Sequence, residues 1–183
     1  MRKNSIYTLI LLVCISPLFS SLHIRPAEEL EIPKLYQLIC ELASSEGQNA
    51  SLTQENLRLF GFGEKPIFFT EVAEVDGQIV GYALYFFTFS PSQGWPSLYL
   101  KDLYVKPEYQ NRGIGTRLLK QLAHYAQERQ CCRMEWLVSD WNERAIAFYQ
   151  KFGAKLKNSL IPVRLGKDAI DRLASEEDSS TQP

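Results

Sequence analysis

The chain is short of the features that mark several common tasks. Its 20 Lys and Arg residues stand against 21 Asp and Glu, a net charge of −1 over 183 residues. A nucleic-acid footprint would need a basic excess, so no nucleic-acid partner is expected. There are four cysteines, Cys14, Cys40, Cys131 and Cys132, and their spacing fits no zinc pattern. The neighbours Cys131 and Cys132 would alternate across a strand and are poor partners for one another. They read as reduced thiols, which suits a reducing compartment, and no metal site is expected. Internal repeats, heptads and low-complexity tracts are missing, and no apolar run reaches the roughly 20 residues that span a bilayer. What is present is a 45% hydrophobic content, enough for a proper core in one globular domain.

The first residues pull in another direction. "MRKNSIYTLILLVCISPLFSS" has Arg2 and Lys3, an apolar run from Ile6 to Ile15, and then Ser20 and Ser21. That is the form of a secretory leader. Yet an alternating stretch, Ser21–Ala27, follows with no spacer and reads as a first strand. The organisation expected is therefore a leader-like or extension segment over 1–21, a domain over 22–174, and a polar tail over 175–183 with the composition of disorder.

Within the domain, Ile32, Leu35, Tyr36, Ile39 and Leu42 recur at helical spacing, with Pro33 tolerated in the first turn. A short helix is expected from a cap at Thr53 to a stop at Gly61. Two β-rich runs flank Asp76-Gly77, the pairing for a two-residue type I′ hairpin. Ser90–Pro96 reads as a loop, and "SLYLKDLYV" as the next strand. A helix follows over Ile114–Arg129, with an apolar stripe of Leu118, Leu119, Leu122, Ala123 and Ala126. "CCRMEWLVS" reads as a strand, and "WNERAIAFYQKFG" as a helix capped by Asn142 and stopped by Gly153. "AKLKN" and "IPVRL" read as two short terminal strands, and Lys167–Ala174 as a last helical turn. Strands mixed with covering helices indicate an α/β domain with a mixed sheet.

One stretch carries a chemical signal. "QNRGIGTRLL" follows a strand and opens a helix, so several backbone N–H groups lack an intrahelical partner. Glycines let the backbone approach a ligand closely, and the helix dipole favours an anion, typically phosphate. Arg112 and Arg117 could add charge-assisted contacts. The ending of a nucleotide P-loop is missing, and so is the three-glycine dinucleotide fingerprint. Taken alone, the turn reads first as an ordinary tight connection, since Gly-x-Gly before a helix is weak evidence.

The arrangement "LYLKDLYVKPEYQNRGIGTRLLKQL … WLVSDWNERAIAFYQKFGA" closely resembles the GNAT acetyltransferase superfamily. Gln110-x-x-Gly113-x-Gly115 is similar to its acetyl-CoA signature, and "NERAIAFYQKFGA" to its second signature. Within the superfamily the chain resembles the diamine (spermidine/spermine) acetyltransferase group, from about Ile24 to Leu173. The resemblance implies a mixed, mostly antiparallel sheet with a splayed strand pair, flanked by helices. It also implies acetyl-CoA as co-substrate, a small-molecule amine as acceptor, and a homodimer. Backbone groups of Leu103, Tyr104 and Val105 would bond the pantetheine arm. Gln110 belongs to the signature, and the amides of Asn111, Arg112, Gly113, Ile114, Gly115 and Thr116 would hold the pyrophosphate. Asn142 would contact the pantetheine or thiol end, and Tyr149 would act as general acid on the departing thiolate. A phenol with a pKa of about 10 stays protonated at neutral pH and can donate to a thiolate of pKa about 8.5. Without the resemblance, Tyr149 would read as a core aromatic and Asn142 as a plain helix cap.

The implied reaction is direct transfer, with a neutral amine attacking the thioester. An acceptor ammonium of pKa about 10.4 must first lose a proton. In the diamine group a Glu in the central strand assists, and here that position is Lys101. Acids that the group places between its last two strands are also missing from "NSLIPV". Asp102 is retained, and Glu135 and Glu46 are the other acids expected at the acceptor site. Adjacent strand residues face opposite ways, so Lys101 and Asp102 cannot pair unless a bulge redirects one. The expectation is an N-acetyltransferase for a small primary amine, a diamine, polyamine or lysine-like amino acid, in the cytoplasm where acetyl-CoA is found. Membrane attachment is not expected. The alternatives are a catalytically weak acetyl-CoA-binding module, a protein-lysine acetyltransferase, and an exported or tethered form.

Overall fold

The computed structural model describes residues 21–157 and 159–175. Residues 1–20 of the leader-like segment expected over 1–21, and residues 176–183 of the tail expected over 175–183, lie outside them. The described residues divide between Leu137 and Val138 into two compact units.

In the first unit, β1 (Leu22–Pro26) runs antiparallel to β2 (Phe69–Val75), with Leu22 opposite Val75 and Pro26 opposite Glu71. A 3-10 turn over Glu29–Glu31 leads into α1 (Ile32–Ser45), which carries Pro33 in its first turn as expected. Arg25 joins these pieces: its Nη2 lies 2.6 Å from Glu31 Oε1 and 2.6 Å from Glu74 Oε2. One guanidinium thereby ties two strands to the start of a helix.

α2 (Gln54–Leu57) begins at the expected cap. The Thr53 Oγ1 accepts from the Asn56 N–H at 3.0 Å, and the Asn56 Oδ1 accepts from the Thr53 N–H at 3.2 Å. The helix expected to run on to Gly61 instead widens into a π-helical turn over Arg58–Phe62. The Phe68 ring sits where a side chain at Gly61 would go, 2.6 Å from the place of its Cβ, so glycine here permits a close packing rather than a simple stop.

β2 turns into β3 (Gln78–Ser90) through Asp76 and Gly77, with φ of 50° and 77°, the left-handed pair a type I′ turn requires. β4 (Trp95–Val105), α3 (Ile114–Glu128) and β5 (Arg133–Glu135) complete the unit. The sheet order is β1-β2-β3-β4-β5, antiparallel except for the parallel β4–β5 pair. This is the mixed, mostly antiparallel sheet the sequence pointed to. The strand expected over Cys131–Ser139 is far shorter, because its ladder stops where Tyr99 faces Glu135.

The two faces of the sheet carry different helices. Ile32, Leu35, Leu38 and Leu57 pack with Val72, Ile79, Tyr82 and Tyr104 in one buried cluster. Alternation places Tyr85 on the face opposite Tyr82, and there Tyr85 stacks on Tyr125 of α3 at 5.9 Å. Leu118, Leu119, Leu122 and Ala126 are buried along the same helix, which is the expected stripe apart from Ala123.

The second unit contains α4 (Glu143–Gln150) and α5 (Lys167–Ser175). The Asn142 Oδ1 accepts from the Ala145 N–H at 3.1 Å, and Gly153 closes the helix at φ 83°, both as expected. The two terminal strands expected at "AKLKN" and "IPVRL" are corrected: the described residues there form no strand. A β-prone run becomes a strand only with a ladder partner, and none is formed. Ile161 and Val163 are accordingly 84% and 91% exposed.

Candidate active site

The site in the first unit is organised by the end of β4. From Gly81 to Tyr85, β3 pairs with the Leu100–Val105 stretch of β4, but on its other side β4 has a partner only at Ser97, Leu98 and Tyr99. Beyond Tyr99 the β5-facing edge of β4 is therefore open among the described residues. Leu103, Tyr104 and Val105 lie on this edge, where backbone groups can take an extended ligand as a strand would be taken.

After Val105 the chain turns sharply. The Gln110 Nε2 donates to the Val105 carbonyl at 2.8 Å, and the Tyr109 N–H donates to the Lys106 carbonyl at 2.9 Å. Asn111 and Gly113 both take left-handed backbone angles, φ 61° and 79°. Gly113 is the N-cap of α3 and offers no side chain to its first amides. A Cβ at Gly113 would enter open space. The result is a concave run of N–H groups at a helix start, which fits an anion. Arg112 lies over the Tyr109 ring at 5.2 Å. These features fit a phosphate-bearing ligand at the turn from Asn111 to Thr116, beside an open strand edge.

Asp102, Tyr82 and Tyr104 lie on the α1 side of the same strands. The register slips between Leu84 and Tyr85 of β3: Leu84 faces Asp102, whereas Tyr85 faces Leu100. Lys101 is thus the extra residue of a β-bulge, the arrangement that frees it from strict alternation. Its side chain is exposed, and its charge pulls the Asp102 carboxyl downward. Burial outweighs that pull and leaves Asp102 above the ordinary carboxylate range. The Tyr82 hydroxyl donates to Asp102 Oδ2 at 3.4 Å, and the charge of Glu46 also reaches Tyr82. The Tyr104 hydroxyl donates to Glu41 Oε2 at 3.2 Å, while Lys106 Nζ stands 3.5 Å from Glu41 Oε1.

The charge of Lys101 thus acts on Asp102, and that of Glu46 on Tyr82 beside it. Glu135 stands apart from them. Its Oε2 pairs with Arg133 Nε at 2.9 Å, and its charge is felt by Tyr99, whose ring stacks on Phe86. Tyr82, Glu41 and Lys106 were not singled out in the sequence. Their signal was weak because a tyrosine in "VGYALYFF" looks like core, which Tyr82 also is. In the second unit, burial raises Tyr149 to about 12, and its ring lies 5.2 Å from that of Phe148. Asn142 is the helix cap described above.

An open strand edge followed by a helix start that fits an anion, with half-buried acids on the adjoining face, suits a transferase with a phosphate-bearing donor. The model of the acetyltransferase (GNAT) family matches residues 32–154, and the chain belongs to that family. It is an acetyl-CoA-dependent N-acetyltransferase. The chain is 39% identical over 142 residues to the thialysine N-epsilon-acetyltransferase of Bos taurus, covering 72% of this chain and 83% of that one. It is 40% identical over 140 residues to the human (Homo sapiens) spermidine/spermine N(1)-acetyltransferase-like protein 1, covering 72% of this chain and 20% of that one. Among solved structures, an aminoglycoside N-acetyltransferase in complex with CoA aligns with a TM-score of 0.67 at 18% identity, over 82% of this chain and 99% of that one. That likeness concerns the fold.

Proposed function

We propose that the protein transfers acetyl groups to a terminal primary amine of a small molecule, and that the acceptor is a lysine-like amino acid rather than a polyamine. The observation that carries this is Lys101, the bulged residue of β4 beside Asp102. A fixed cation at the acceptor mouth repels a polyamine and attracts a carboxylate. The thialysine substrate in the name of the bovine relative supports the same class.

In this reading Leu103, Tyr104 and Val105 hold the pantetheine arm through their backbone. Gln110 fixes the turn, and the amides of Asn111, Arg112, Gly113, Ile114, Gly115 and Thr116 hold the pyrophosphate. Acetyl-CoA supplies the activated acyl group. Asp102 receives the acceptor ammonium and takes its proton, leaving a neutral amine nucleophile. Lys101 and Glu46 orient the rest of the acceptor, and Glu135 stands further along the same sheet face by its register with Tyr99. Tyr149 protonates the departing thiolate, a role supported by burial that keeps its phenol protonated, and Asn142 steadies the thiol end. The active form is a homodimer in the cytoplasm, where its donor is made.

The test is an acceptor screen with acetyl-CoA across lysine, thialysine, ornithine, putrescine, spermidine and spermine. Amino-acid amines are expected to lead. Lys101→Glu should move preference toward spermidine by about tenfold, since one charge contact is worth about 1–2 kcal/mol in such a setting. A wild-type enzyme that prefers spermidine over every amino acid would refute the Lys101 argument. No thioester turnover with any amine would favour a binding module instead.

A further inference from the structure

Tyr82 is fully buried, yet it carries a hydroxyl on the acceptor face. A buried hydroxyl needs a partner, and Asp102 Oδ2 is the acceptor it has, at 3.4 Å. A phenol bonded to an ionised carboxylate can only donate, because the carboxylate has no proton to give. Burial and the neighbouring carboxylates hold the Tyr82 phenol far above its ordinary range, so it remains a donor throughout the working pH range. The contact is long for an O–H···O⁻ bond, and such contacts tighten once substrate is in place.

We propose that Tyr82 is a positioning residue of the reaction: its hydroxyl aims the Asp102 carboxylate at the acceptor amine and keeps it in the charged, proton-accepting form. This rests on the reading of Asp102 as the group that takes the acceptor's proton. The proton leaves the acceptor ammonium for an Asp102 oxygen, while the nitrogen lone pair is released for attack. Tyr82 keeps its own proton and the other carboxylate oxygen. The groups facing this pair are Lys101 on β4, Glu46 after α1, and Tyr104 on β4 with its partners Glu41 and Lys106. Lys101 also favours the carboxylate, but its side chain is exposed to screening water, whereas the Tyr82 hydroxyl acts from inside the core.

The experiment compares the wild type with Tyr82→Phe, which keeps the ring and its packing. It follows kcat/KM for the acceptor against pH, together with the carbon-13 carboxyl titration of Asp102 assigned through Asp102→Asn. Loss of the donor should move the acidic limb and the Asp102 titration upward by about half to one pH unit. That corresponds to a three- to tenfold loss of kcat/KM on the acid side, with convergence at high pH and unchanged acetyl-CoA affinity. Site-specific 3-fluorotyrosine at position 82, a more acidic donor, should move both the other way, and it serves where the phenylalanine variant folds poorly. An Asp102 titration that stays in place in both variants overturns the inference. An Asp102→Asn enzyme with a wild-type pH profile instead overturns the role of Asp102, even where the Tyr82 coupling is measured.

Discussion

Glu71 lies on β2, beneath α3, and is almost wholly buried. Tyr125 of α3 pulls its carboxyl downward, but its Oε2 has no partner. Burial raises its carboxyl from the ordinary 4.5 to about 7, so the neutral form is the one the fold favours. The linkage has a definite sign. The stabilising contribution of the neutral carboxyl is complete below pH 4.5 and is lost as pH rises through about 7. Glu71→Gln should therefore remove a fall in stability over that window of about 2–3 kcal/mol, read from urea denaturation at a series of pH values. A variant that keeps the wild-type slope would place the titration elsewhere. Tyr149 calls for a different measurement. Tyr149→Phe keeps the half-buried ring and removes the phenolic proton, so kcat should fall by about 10²-fold with little change in acetyl-CoA affinity by calorimetry. An unchanged kcat would remove Tyr149 from the mechanism.

At the level of elements, the turn between β4 and α3 combines local and long-range causes. The glycines and the helix that follows were legible from "QNRGIG", because left-handed angles and orphan amides are properties of a few consecutive residues. Gly113→Ala places a Cβ on a residue with φ 79°, at a cost of about 1–2 kcal/mol. The expected outcome is a lower melting temperature and at least tenfold weaker acetyl-CoA binding; unaltered binding by calorimetry would separate the turn from the cradle role. The bulge at Lys101 was less legible. Alternation alone sends Lys101 and Asp102 to opposite faces, whereas the slipped pairing with β3 makes Lys101 the extra residue of a bulge, and its charge lowers the Asp102 carboxyl. The expected terminal strands failed for a related reason. "IPVRL" has β-forming side chains, but a strand is completed by its neighbour, and the described sheet ends at β5.

At the level of the whole molecule, the exposed aliphatics of the second unit bear on assembly. Leu160, Ile161, Val163, Leu165 and Leu173 are each more than half exposed, an unusual cost for a lone chain in water. The homodimer proposed above would cover them. Light scattering after size exclusion should report a dimer, and the triple change of Leu160, Ile161 and Val163 to Ser should shift it to monomer. A wild-type monomer at micromolar concentration would refute this.

The sequence by itself determined what depends on near neighbours. The Thr53 and Asn142 caps, the Asp76-Gly77 hairpin, the α3 stripe and the glycine turn all follow from backbone angles and periodicity within a few residues. It also carried the family signature, and with it the donor half of the reaction. The tertiary structure decided what depends on register and burial. It left the edge of β4 open beyond Tyr99, placed Lys101 on a bulge, and buried Tyr82 against Asp102. It also hid Glu71 beneath a helix and set Glu135 apart with Arg133. Those features arise between segments far apart in the chain, where a one-residue slip reverses a side chain's face and desolvation sets a carboxyl's charge.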